Sequence, residues 1–97
     1  MDTYVIMRRS GWADADELGI AAGHSKDVGD GEMSDDIRWI RSYVLEEPDG
    51  RLGTVCIYQA SSPEAVREHA GRAGLPADEV VRVADTVLVR PDPVPAA

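Results

Sequence analysis

Four stretches of strand-forming residues are interleaved with only two stretches able to form helix, and this imbalance limits the fold more than any other feature of the chain. Residues 3–9 read as a first strand from their Tyr, Val and Ile content, closed by Ser10 and Gly11. Residues 37–46 and 53–60 read as a second and a third strand. Between them Pro48, Asp49 and Gly50 of the P-D-G-R-L-G stretch make a hairpin turn. Residues 80–90, valine-rich and alternating, read as the fourth strand, and Pro91, Pro93 and Pro95 mark a flexible tail over 92–97.

The first helical stretch begins at Asp14, which with Glu17 forms a capping box, and Leu18, Ala21, Ala22, Ser25 and Val28 follow at helical spacing. Gly19, Gly23, Gly29 and Gly31 interrupt it. Each glycine inside a helix costs about 1 kcal/mol relative to alanine, so the expectation is a short or frayed helix ending near Gly29. The second is better specified. Ser62 is its N-cap, Pro63 fills the first turn, Val66, His69, Ala70 and Ala73 share one stripe, and Gly74 with Pro76 stops it.

The order β-α-β-β-α-β predicts a single α+β domain over 1–91, a ferredoxin-like antiparallel four-stranded sheet with two helices on one face. The uncovered face of such a sheet is polar in a monomer. Here both parities are apolar: Tyr4 and Ile6 oppose Val5 and Met7, while Val83, Val87 and Val89 oppose Ala84 and Leu88. A second copy of the sheet is the economical cover, which predicts a face-to-face homodimer.

Charge and composition narrow the partners. The 97 residues carry a net charge of −8, which opposes nucleic acid and anionic membrane surfaces and favours cations. No run approaches the roughly 20 apolar residues of a membrane span. The M-D-T-Y-V-I-M-R-R start lacks a signal-peptide pattern, and the one cysteine excludes an intrachain disulfide, so a reducing, cytoplasmic setting is expected. Phosphate loops, dinucleotide fingerprints, C-x-x-C pairs, H-E-x-x-H helices and nucleophile elbows are absent from the sequence, which weighs toward binding over catalysis.

The candidate ligands are few. Helical spacing turns His69 toward the sheet, either as a core histidine satisfied by a carbonyl or tyrosine hydroxyl, or as a metal ligand. Cys56 and Tyr58 share a strand parity, and a thiolate with an imidazole suits nickel, copper or zinc. Cys56 can equally be a small buried hydrophobe. Strict alternation sets Trp39, Arg41 and Tyr43 on one side and Ser42 on the other, either as packing or as a pocket wall. The acidic stretch from Asp14 to Asp36 reads as solvated surface, with His24 above Glu17 as a possible metal contact. Its D-V-G-D-G-E segment fails the EF-hand pattern.

Three strings, W-I-R-S-Y-V from Trp39, C-I-Y-Q-A from Cys56 and V-R-E-H-A from Val66, together with G-L-P-A-D-E-V from Gly74, resemble a small bacterial family of unknown function that includes a nickel-binding protein. The resemblance spans nearly the whole chain. It implies a ferredoxin-like subunit of a cytosolic dimeric α+β barrel, with nickel or another divalent transition metal as ligand. Within the shared strings Tyr43, Cys56, Tyr58 and His69 are the positions with donor chemistry, and no ligand set is carried over. The glycine-interrupted first helix and the longer hairpin near Gly50 depart from the family and weaken any role for His24. The expected function is a homodimeric metal-binding protein, with a cofactor-independent dimeric-barrel enzyme or a small-molecule binder as alternatives.

Overall fold

The hairpin forms where Glu47 and Gly50 close on each other: Gly50 N donates to the Glu47 carbonyl at 3.0 Å, and Asp49 Oδ1 accepts from Arg51 N at 2.9 Å. Gly50, with φ of 82°, supplies the left-handed residue of the turn. The computed structural model that carries these contacts describes residues 1–93; positions 94–97 of the expected tail lie outside the described residues. Its elements run β1 (Asp2–Trp12), α1 (Ala15–Asp30), β2 (Ile37–Glu46), β3 (Leu52–Ala60), α2 (Pro63–Ala73) and β4 (Glu79–Arg82). The sheet order is β2-β3-β1-β4, with every neighbour antiparallel. This is the ferredoxin-like α+β arrangement.

Both helices begin and end on the chemistry the sequence offers. Asp14 accepts from Glu17 N at 2.9 Å, and Ser62 Oγ accepts from Ala65 N at 3.1 Å. Gly74, at φ 70°, turns the chain out of α2 while Leu75 N reaches the Ala70 carbonyl at 2.8 Å. The expectation of a frayed first helix is corrected: α1 runs unbroken for 16 residues. Its glycines are tolerated because tertiary contacts outweigh propensity. Gly29 is buried, and a Cβ there would already stand 3.6 Å from His69 Nε2.

Tyr4, Ile6, Cys56, Tyr58 and Ala60 of the sheet meet Val66 of α2 to make the core. Val5, Met7, Val55 and Ile57 point to the other face and are half-buried. Two of the expected elements differ. β1 extends to Trp12 across an irregularity between Arg8 and Trp12, with Ser10 held at φ 48°. β4 covers Glu79–Arg82 instead of 80–90. The register explains the shortening: Tyr4 lies opposite Arg82 and Val83 N still reaches the Thr3 carbonyl, but β1 starts at Asp2, so later residues have no strand beside them. Val87, Leu88 and Val89 are left 88, 76 and 76% exposed.

No helix among the described residues is long and apolar enough to cross a membrane.

Candidate functional site

α1 faces the sheet with Ala21, Ala22 and Ser25, side chains too short to fill the space beneath it. A pocket of about 420 Å³ results, open to solvent and walled by α1 on one side and by β1, β2 and β3 on the other. Trp39, Tyr58 and Cys56 supply its sheet wall, and Trp12, Leu18 and Leu75 close its end.

Tyr58 is the centre of this wall. Its hydroxyl lies 2.6 Å from Ser25 Oγ, tying α1 to β3. Its ring stacks on Trp39 at 6.1 Å between centroids with 5° between planes. His69 approaches from below at 5.3 Å, tilted by 55°. Burial pushes the phenol above its ordinary range, against the hydrogen bond from Ser25 and the nearby positive charge of Arg8.

The position of Trp39 corrects the strict-alternation reading of β2. Trp39 is opposite Tyr58, but Arg41 is opposite Ile57 and Ser42 opposite Cys56, so one extra residue is inserted between Trp39 and Arg41. A bulge of this kind reverses the parity downstream. Trp39 and Ser42 therefore share the pocket face, joined by a bond of 2.8 Å from Trp39 Nε1 to Ser42 Oγ. Tyr43, opposite Val55, points to the other face, where its hydroxyl donates to Asp92 Oδ1 at 2.7 Å. Arg41 touches the pocket rim but sends its guanidinium to the same Asp92. Asp92, expected in the tail, is thus anchored to β2.

His69 is 1% exposed and its Nε2 lies 2.9 Å from the Ser25 carbonyl, which fixes the tautomer with the proton on Nε2. This is the core arrangement, a histidine satisfied by a backbone carbonyl. Nδ1 is buried without a partner. Desolvation pushes the imidazole below its ordinary pKa, and Arg8 adds to the effect while the Ser25 carbonyl opposes it. Cys56 is buried and donates to Thr54 Oγ1 at 3.3 Å. His24 sits elsewhere, with Glu17 in a second hollow of about 300 Å³ between α1 and the end of α2.

The donors expected to hold a metal are therefore only partly brought together. Cys56, Tyr58 and His69 belong to one core, Tyr43 lies across the sheet, and His24 is on the outer side of α1. Among the described residues no three His, Cys, Asp or Glu side chains come together as a metal cage. Of the nearest donors the Cys56 thiol, the Tyr58 hydroxyl and His69 Nε2 are occupied, by Thr54, Ser25 and the Ser25 carbonyl, which leaves His69 Nδ1 bare. Within one chain these residues do not fit a closed nickel site.

One residue of the site was missed. Arg8 shares the parity of Tyr4 and Ile6, lies 1% exposed on the pocket face, and places its Cζ 5.8 Å from the centre of the Tyr58 ring. Alternation along β1 carries that signal, but a charge beside a glycine turn reads more readily as the end of the strand.

Residues 4–83 match the family described as nickel responsive protein SCO4226-like. The chain belongs to that family. Among solved structures it is similar to SCO4226 from Streptomyces coelicolor A3(2), with a TM-score of 0.68 and 22% identity, covering 88% of this chain and 99% of that one. At that identity the likeness carries the fold alone. No curated protein matches the chain.

Proposed function

We propose that this protein is a homodimeric, non-catalytic binding protein of the cytoplasm that acts in a nickel response, and that the pocket beneath α1 is the surface it works with. The family description supports the nickel response. The single observation that carries the rest is a 420 Å³ space faced by two tryptophans and a tyrosine, of a size and character that suits a small, largely apolar molecule. The described wall of that space carries no imidazole or carboxylate, and its cysteine is spent on Thr54. That supports binding over general acid–base turnover. A second copy is supported by the half-buried apolar residues of the uncovered sheet face and by the exposed Val87, Leu88 and Val89.

Trp12 and Trp39 line the pocket, so their fluorescence reports its occupancy. The neutral probe 2-naphthamide should quench it saturably in the unaltered protein and far less in Ala22→Phe, which fills the space. Equal quenching in both proteins would remove the pocket from the function.

Direct nickel binding is a second reading, favoured by the family description and by the bare Nδ1 of His69, whose other ring nitrogen is oriented by a carbonyl as in many metal-ligating histidines. Because His69 and Cys56 lie under the helices, away from the uncovered sheet face, and no third His, Cys, Asp or Glu joins them among the described residues, the remaining ligands would come from solvent or from oxygen donors of the same chain. Calorimetry with nickel on the protein, His69→Ala and Cys56→Ala tests it. Identical isotherms for all three would exclude both residues as ligands.

A further inference from the structure

Arg8 and Arg9 are adjacent in sequence and treated oppositely by the fold. Arg9, whose side chain is largely exposed, receives the carboxylate: its Nε and Nη2 lie 3.0 to 3.1 Å from the Glu47 oxygens, and Ser10 Oγ adds a longer contact at 3.4 Å. Arg8, buried under α1, receives none. Its Nε donates to the Pro76 carbonyl at 2.7 Å, its Nη2 is buried without any partner, and among the described residues no carboxylate forms an ion pair with it.

A guanidinium does not lose its proton at any physiological pH, so burial cannot be relieved by neutralisation as it can for lysine or histidine. An isolated buried charge is costly unless something compensates it. The face of Tyr58 supplies part of that compensation. Among the described residues no carboxylate supplies the rest, and Arg8 lines the pocket through which a counter-ion would arrive. A second copy seated on the uncovered face of the sheet would not reach it, because Arg8 lies on the helix-covered face with Tyr4 and Ile6.

We infer that the pocket takes a small molecule bearing a carboxylate or similar oxyanion, which pairs with the guanidinium of Arg8 while its apolar body lies against Trp39, Tyr58 and Trp12. This rests on the pocket being a binding site, as proposed above, and adds the charge of the ligand. The fork of an arginine matches the two oxygens of a carboxylate, and Ser42 and Thr54 place hydroxyls on the same wall. The net charge of −8 does not forbid this. Exposed charges are screened beyond about 8 Å at physiological ionic strength, so the contact charge of Arg8 governs the bound state.

Two probes of the same shape separate charge from fit: 2-naphthoate and 2-naphthamide, titrated against the tryptophan fluorescence of the full protein and of Arg8→Met. The carboxylate should bind the unaltered protein roughly tenfold or more tighter than the amide, the scale of a charge-assisted pair in a desolvated site. In Arg8→Met that preference should vanish. Equal affinity for the two probes in the unaltered protein, or a preference that survives Arg8→Met, would overturn the inference and leave the pocket standing. If neither probe binds the unaltered protein, the pocket reading falls and takes the inference with it. The comparison on the unaltered protein decides the matter even if Arg8→Met folds poorly.

Discussion

The bond between Ser25 and Tyr58 is the test of how α1 is held to the sheet. Both side chains are nearly fully buried, and their hydroxyls lie 2.6 Å apart. Tyr58→Phe keeps the ring stacked on Trp39 but strands the Ser25 hydroxyl, and Ser25→Ala strands the phenol. A buried polar group left without its partner costs about 1–3 kcal/mol, whereas removing both members of a pair costs much less. Each single substitution should therefore destabilise by about 1–2 kcal/mol, lowering the melting temperature by roughly 4–8 °C per kcal/mol for a domain of this size. The double variant Ser25→Ala/Tyr58→Phe should be no less stable than either single one, a coupling of about 1 kcal/mol or more. Urea unfolding followed by circular dichroism, with the midpoint and slope fitted for all four proteins, reads this directly. If the two single effects add to within about 0.5 kcal/mol in the double variant, the hydroxyls are satisfied independently of each other and the tie is not what holds α1.

Other outcomes follow from single contacts. Gly53→Ala should destabilise by about 1–3 kcal/mol, because the new Cβ would stand 2.7 Å from the Arg8 carbonyl and 2.8 Å from Glu47 Oε1. Gly23→Ala, with nothing within 4 Å, should instead stabilise α1 by about 0.5–1 kcal/mol, and the same denaturation assay compares them. For His69 the folded protein favours the neutral ring, so the unfolded chain takes up the proton first as the solution is acidified. Stability should fall as pH drops from the ordinary histidine value of about 6.5 toward the lowered folded one, then level off. His69→Gln should flatten that slope in melting curves recorded across the window; an unchanged slope would assign it to other groups. Val87→Lys with Val89→Lys should shift sedimentation toward monomer if those side chains meet a second copy, and an unchanged dimer would show that it uses other surfaces.

Capping chemistry made the helices legible: Asp14, Ser62, Pro63 and Gly74 sit where the residue types indicate. The hairpin was equally plain from Pro48 to Gly50. The inward turn of His69 followed from the spacing of Val66 and Ala73. What escaped was whatever depends on a neighbour. The length of β4 is set by where β1 begins, and nothing in the valines of 83–90 reveals that. Met33, the lone apolar residue between Gly31 and Asp36, is buried although its surroundings read as acidic surface. The pocket itself arises from small residues on α1, which look like an ordinary alanine-rich face until the distance to the sheet is known. Arg8 was hidden because periodicity gives direction without telling which charge will find a counter-ion.

The extra residue at Ile40 works like a half-turn in a ribbon. Upstream of it the strand shows its aromatic edge to the hollow under α1; downstream the same edge belongs to the opposite side, where Tyr43 and Arg41 clasp Asp92. The residues that follow Trp39 grip the chain leading away from β4. One inserted amino acid thus lets neighbouring residues of β2 serve both sides of the sheet, Trp39 the hollow and Tyr43 with Arg41 the segment that leaves β4.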